Sequence, residues 1–127
     1  MLTTLILTHN IINNFFAMNM WNLTSLDLSY NQISNYSIND WSRTSQKEIT
    51  INLNHNLINE IKLRISGETK VTMLLDNNPL ACDCRNLMLV EYLNNDKLKL
   101  NFKMDFGVLE CGTKLISSLK PYDICIN

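Results

Sequence analysis

Six side chains in this sequence have the chemistry to bind a metal, form a crosslink or attack a substrate: four cysteines and two histidines. Cys82, Cys84, Cys111 and Cys125 all lie toward the C-terminal end of the 127 residues. Four thiolates can hold zinc, or they can pair as two disulfides. Zinc motifs usually space their cysteines C-x2–4-C, whereas a single residue, Asp83, separates Cys82 from Cys84. An even number of cysteines clustered at one end reads instead as a local disulfide framework, hence an oxidising, extracellular setting. Three pairings are open on the sequence alone. A cysteine nucleophile would need a base nearby, and His9 and His55 lie in the first half of the chain. There is no G-x-S-x-G, no H-E-x-x-H and no phosphate-binding glycine loop, with only three glycines in all. The reading is therefore a non-enzyme with no cofactor and no metal.

Bulk properties point the same way. A net charge of −1 provides no long-range attraction for nucleic acid or an anionic membrane. A hydrophobic fraction of 46% is that of a folded domain. No run of about 20 apolar residues predicts a membrane span. Residues 1–20 are apolar but lack a basic start, and His9, Asn10, Asn13 and Asn14 interrupt them, unlike a signal peptide. Two N-x-[ST] sequons, at Asn22 and Asn35, are candidate glycosylation sites.

An internal repeat must position these residues. The pattern L-x-x-L-x-L-x-x-N-x-[LI] occurs as Leu2, Leu5, Leu7, Asn10, Ile12 and again as Leu23, Leu26, Leu28, Asn31, Ile33. It recurs as Ile51, Leu53, Asn56, Ile58, with Glu48 in the first place, and as Met73, Leu75, Asn78, Leu80, with Lys70 there. Alternating L-x-L predicts a short strand with one face inward, and successive strands pair in parallel about 4.8 Å apart. The chain then turns inward at Asn10, Asn31, Asn56 and Asn78, whose carboxamides satisfy backbone groups left unpaired by the turn; an unmet one costs about 1–3 kcal/mol. The pattern resembles the leucine-rich repeat, with its period of about 20–29 residues.

The other strand positions form three columns on the concave face: Thr4, Ser25, Thr50, Thr72; then Ile6, Asp27, Asn52, Leu74; then Thr8, Ser29, Asn54, Asp76. These columns are small, polar and nearly neutral, with acid at Asp27 and Asp76 and no aromatic or basic cluster. Such concave faces bind protein partners in solenoids, yet Trp, Tyr and Arg, the favoured hot-spot residues, are missing. Just before each ladder asparagine stand His9, Tyr30, His55 and Asn77, a column at the strand-exit edge read as surface. The histidines are two repeats apart, about 10 Å by the strand spacing, too far to share one ion. Tyr36 and Trp41, in the longer third repeat, are read as core of that repeat.

A solenoid's terminal repeat leaves apolar surface open unless a lid covers it. Asn78-Pro79-Leu80-Ala81-Cys82-Asp83-Cys84 introduces a predicted helix over Arg85–Asn94, N-capped by Asp83, with an apolar face of Leu87, Leu89, Val90 and Leu93 and a stop at Asn94-Asn95. The chain continues through Phe102, Phe106, Leu109, Leu115 and Leu119 to Cys125. N-P-L-x-C-x-C followed by two more cysteines resembles the leucine-rich-repeat C-terminal cap. That resemblance implies the pairs Cys82–Cys111 and Cys84–Cys125. The expected fold is an α/β solenoid: a right-handed superhelix of short parallel strands, about four repeats over residues 1–80, with a disulfide-bonded helical cap over 79–127.

Leu75 to Leu93, reading L-D-N-N-P-L-A-C-D-C-R-N-L-M-L-V-E-Y-L, looks like the ectodomain caps of insect Toll receptors. The resemblance implies an extracellular segment of a cell-surface receptor, which binds a protein ligand of the cystine-knot cytokine kind, dimerises with a second receptor chain and signals in innate immunity or development. Lys97 and Lys99 on the cap are then candidates for dimer contact. The alternative is a secreted adhesion, matrix or guidance protein with the same repeats. Leu2, Leu5 and Leu7 are already in register at the first residues, which leads to the expectation that further repeats precede Met1.

Overall fold

The computed structural model describes residues 2–15, 22–37, 48–62, 70–95, 102–107, 110–111 and 114–125. Strands β1 (Thr4–Ile6), β2 (Ser25–Asp27), β4 (Glu48–Asn52), β6 (Lys70–Leu74) and β7 (Phe102–Asp105) form one parallel sheet in the order β1-β2-β4-β6-β7. Thr4, Ser25, Thr50 and Thr72 stand opposite one another, as do Leu5, Leu26, Ile51 and Met73. Register is set by the period-two pattern, since a one-residue slip would turn each apolar set outward. Hydrogen bonds between turns continue past the strand ends, from Leu28 N to Asn52 O (2.8 Å) and from Tyr30 N to Asn54 O (3.0 Å). The architecture is the expected α/β solenoid of leucine-rich repeats with a disulfide-bonded cap.

The core is one continuous column of Leu26, Leu28, Ile33, Ile49, Ile51, Leu53, Ile58, Met73 and Leu75, each almost fully buried. Glu48 and Lys70, which break the repeat pattern, begin their strands on the exposed face. Their neighbours Ile49 and Val71 turn inward, so β4 and β6 lengthen to five residues with strict alternation. The repeat thus trades its first Leu for a β-branched residue one place on, a good fit to a half-buried pleated strand.

Two features extend the expected plan. A second parallel pair, β3 (Asn35–Ser37) with β5 (Glu60–Lys62), forms its own sheet. The first sheet also gains a fifth strand, because Phe102 and Met104 of β7 stand opposite Val71 and Met73 of β6. Buried Phe106 continues that alternation into the core.

The helix expected over Arg85–Asn94 begins as a 3-10 turn at Cys84–Asn86 and becomes α-helical in α1 (Leu87–Leu93). Asp83 caps the turn by accepting from Arg85 N at 2.9 Å. Leu89, Val90 and Tyr92 face the core and Met88 faces solvent. With Ile116 and Leu119 from the following segment they form the lid over the last turn. A two-stranded antiparallel pair, β8 (Glu110–Cys111) with β9 (Lys114–Leu115), and a one-turn helix, α2 (Pro121–Ile124), complete the cap. Trp41, Lys97, Lys99 and Leu109 lie outside the described residues.

Candidate partner-binding surface

Each repeat after the first turns inward on an asparagine whose hydrogen bonds tie it to the preceding turn. Asn31, Asn56 and Asn78 are buried and make the same four bonds. The Asn56 Oδ1 accepts from Ile33 N at 3.0 Å, while its Nδ2 donates to Leu28 O (2.9 Å), Leu53 O (3.1 Å) and Asn54 O (3.3 Å). Asn31 does this for Ile12 N and Leu7 O, and Asn78 for Ile58 N and Leu53 O. Asn10 is exposed and donates to Leu7 O and Thr8 O of its own turn. A fifth asparagine, Asn86, was not singled out by the repeat. Completely buried, it accepts from Ile61 N at 3.0 Å and donates to Asn59 O and Ala81 O, so the cap itself supplies the last rung.

The column preceding the ladder has an unexpected backbone. His9, Tyr30, His55 and Asn77 all adopt left-handed φ, between 57° and 59°, a region Asn and His enter more readily than Tyr. The three rings lie parallel: His9 on Tyr30 at 4.4 Å between centroids, Tyr30 on His55 at 4.2 Å. Asn77 Nδ2 lies 3.2 Å from His55 Nε2. The phenol ring therefore stands between the two imidazoles.

The three predicted columns share the outer face of the sheet, and their accessibility differs. Thr4, Ile6 and Thr50 are exposed; Thr8, Ser25, Asp27, Asn52, Asn54, Thr72, Leu74 and Asp76 are half-buried. Ser29 departs from the expectation of a surface residue: it is 5% exposed, because its hydroxyl bonds Asp27 Oδ1 at 2.6 Å and meets Thr8 Oγ1 at 3.0 Å. β7 adds Lys103 and Asp105 to the same face, opposite Thr72 and Leu74. These two residues carry no repeat signature, yet the alternation Phe102, Met104, Phe106 is legible once β7 is known.

In the cap, Cys82 is bonded to Cys111 and Cys84 to Cys125, with Cα separations of 5.7 and 4.9 Å. Arg85 binds the Asp83 carboxylate through Nε (3.1 Å to each oxygen) and Nη2 (2.7 Å). Those side-chain bonds, with the backbone N–H of Arg85, hold the Asp83 carboxyl below its ordinary pKa. Burial pushes the Tyr92 phenol above its ordinary value, opposed by a backbone bond at Met104. Asn22 is half-buried in the turn before Leu23, and Asn35 opens β3. Among the described residues, no group of three or more His, Cys, Asp or Glu side chains could hold a metal ion. No described helix is long and apolar enough to cross a membrane.

Parallel strands with inward asparagines, closed by a doubly crosslinked helical lid, define a leucine-rich-repeat solenoid with a cysteine-rich C-terminal cap. The chain is 35% identical over 124 residues to Protein toll of Drosophila melanogaster, a match covering 84% of this chain and 11% of that protein. It also resembles a chain in the solved Drosophila Toll–Spatzle complex (glycosylated form), with a TM-score of 0.72 and 29% identity over 97% of this chain and 18% of that one. No protein-family profile matches it. The chain is a Toll-like ectodomain segment, spanning about a tenth of the length of its Drosophila relative.

Proposed function

We propose that this segment serves in the extracellular part of a Toll-like receptor, as a protein-binding surface and not as a catalyst. The observation that carries the reading is the agreement of sequence and fold with Toll over most of the chain. Two disulfides among the described residues support an oxidising, extracellular location. The solved relative is a complex of Toll with Spatzle, which supports a protein ligand here; the resemblance to insect Toll receptors implies a ligand of the cystine-knot cytokine kind and a second receptor chain in the signalling state. The repeats over residues 1–80 are then the ligand-facing part and residues 79–127 the cap. Asn22 and Asn35 carry glycans in this reading. Innate immune or developmental signalling is the biological setting it implies.

The test is to secrete the natural ectodomain containing this segment and titrate it with the source organism's own cystine-knot cytokines. Binding is followed by surface plasmon resonance and assembly by sedimentation. Saturable binding with ligand-dependent dimers is the expected result. A monomer that binds none of them overturns the proposal, and so does a native chain with four free thiols.

A further inference from the structure

Pairing of β7 with β6 brings together two lysines that are distant in the sequence. Lys70 opens β6, and Lys103 stands opposite Thr72 in β7. Both are exposed, and with Glu48, Thr50 and Thr72 they line a depression of about 220 Å³ at the N-terminal ends of the strands. Lys103 is one strand across and two residues along from Lys70, so their Cα atoms are roughly 8 Å apart. Two flexible stems with rotatable donors can converge on one carboxylate across that gap.

The lining of the depression carries one net positive charge, Lys70 and Lys103 against Glu48, and the other carboxylates of this face, Asp27, Asp76 and Asp105, stand at or past the opposite, C-terminal ends of the strands. Asp27 Oδ1 is taken by Ser29 N (3.0 Å) and Ser29 Oγ. Asp76 Oδ1 accepts from Asn77 N at 2.9 Å, and Asp105 Oδ1 from Gly107 N at 2.8 Å. By contrast, neither Lys70 nor Lys103 makes a side-chain hydrogen bond or ion pair among the described residues. Glu48 stands opposite Lys70 in register without pairing with it.

We propose that this depression binds an acidic segment of a protein partner, one Asp or Glu side chain seated between Lys70 and Lys103 with the Thr50 and Thr72 hydroxyls as further donors. The site rests on the protein-binding reading above and gives it a location and a partner chemistry. Two cations beside one carboxylate leave a single net positive charge, which matches one acidic side chain. A polyanionic glycan or nucleic acid would instead call for a row of cations.

The experiment titrates the full chain, disulfides intact and lysines carrying isotope-labelled methyl groups, with a Glu-rich peptide. A Gln-rich peptide and a heparin oligosaccharide serve as comparisons, with NMR as the readout. The Lys70 and Lys103 signals should shift with the acidic peptide, and the effect should weaken with salt. Replacing both (Lys70→Gln with Lys103→Gln) should weaken binding about 3–10-fold, from two exposed ion pairs, whereas Lys114→Gln on the cap should leave it unchanged. The site is overturned if those signals do not move, if Lys114→Gln costs as much, or if heparin binds more tightly. In the secreted ectodomain, a double variant that binds the cytokine as wild type does overturns the site and spares the receptor reading. A wild-type ectodomain that binds no cytokine overturns the receptor reading itself.

Discussion

Replacing Asn56 with Ala should remove a large share of the stability of the whole array. Its carboxamide is 4% exposed. After the change, Leu28 O keeps the bond from Asn31 Nδ2 (3.0 Å) and Leu53 O keeps that from Asn78 Nδ2 (2.9 Å). Ile33 N loses Asn56 Oδ1 and is left buried without a partner. One orphaned buried N–H costs about 1–3 kcal/mol, and the lost donor bonds add about 1 kcal/mol. The sum, roughly 2–4 kcal/mol, is a large part of a domain stability of about 5–15 kcal/mol. Asn10→Ala is the internal comparison: its amide bonds two carbonyls of its own exposed turn, and Leu7 O still receives Asn31 Nδ2. That change should cost under about 1 kcal/mol. Urea unfolding followed by circular dichroism separates the two variants by their midpoints at equal slope. Equal losses at the two positions, or a loss below about 1 kcal/mol at Asn56, would refute the assignment of the ladder as backbone satisfaction.

Two further outcomes follow from the cap and its junction with the sheet. Gly107 has φ +65°, and a Cβ there would collide with the Asp76 carboxylate. Gly107→Ala should therefore destabilise by about 1–3 kcal/mol; adding Asp76→Ser should recover part of the loss and leave the cost of the backbone angle, as a thermal-melt double-mutant cycle would show. Asp83 has a folded pKa below its unfolded one, chiefly through its bonds to Arg85. Its contribution is thus fully present above the unfolded value and is lost as pH falls through the folded value. Asp83→Asn keeps a good helix cap but has no carboxyl to titrate, so its unfolding midpoint should vary less with pH on the acid side than that of the wild type.

Most of the sheet was legible because its signal is periodic. The columns through Thr4, Ser25, Thr50 and Thr72 fall out of the L-x-L phase alone, and the observed register follows it. What escaped was whatever sits out of phase. Asn86 follows Asn78 by eight residues, not by a full repeat, because the chain has already entered the cap when it supplies the final rung. Lys103 and Asp105 were hidden because the strand that carries them lies between cysteines, where crosslinks dominate the sequence signal. The left-handed angle at Tyr30 was invisible for another reason. A tyrosine carries no local preference for it, and only the stack between two imidazoles and the bonds between turns favour it.

The ladder also has a direction. Asn31 reaches to Leu7 and Ile12, Asn56 to Leu28 and Ile33, Asn78 to Leu53 and Ile58, and Asn86 to Asn59 and Ile61. Each turn is therefore finished by the one synthesised after it. For a chain emerging from the ribosome N-terminus first, at about 5–20 residues per second, a turn must wait about one repeat length before its own amides are met. Folding during synthesis then lags elongation by one turn, and the turn exposed at any moment is the newest. The cap ends that delay for the last of them.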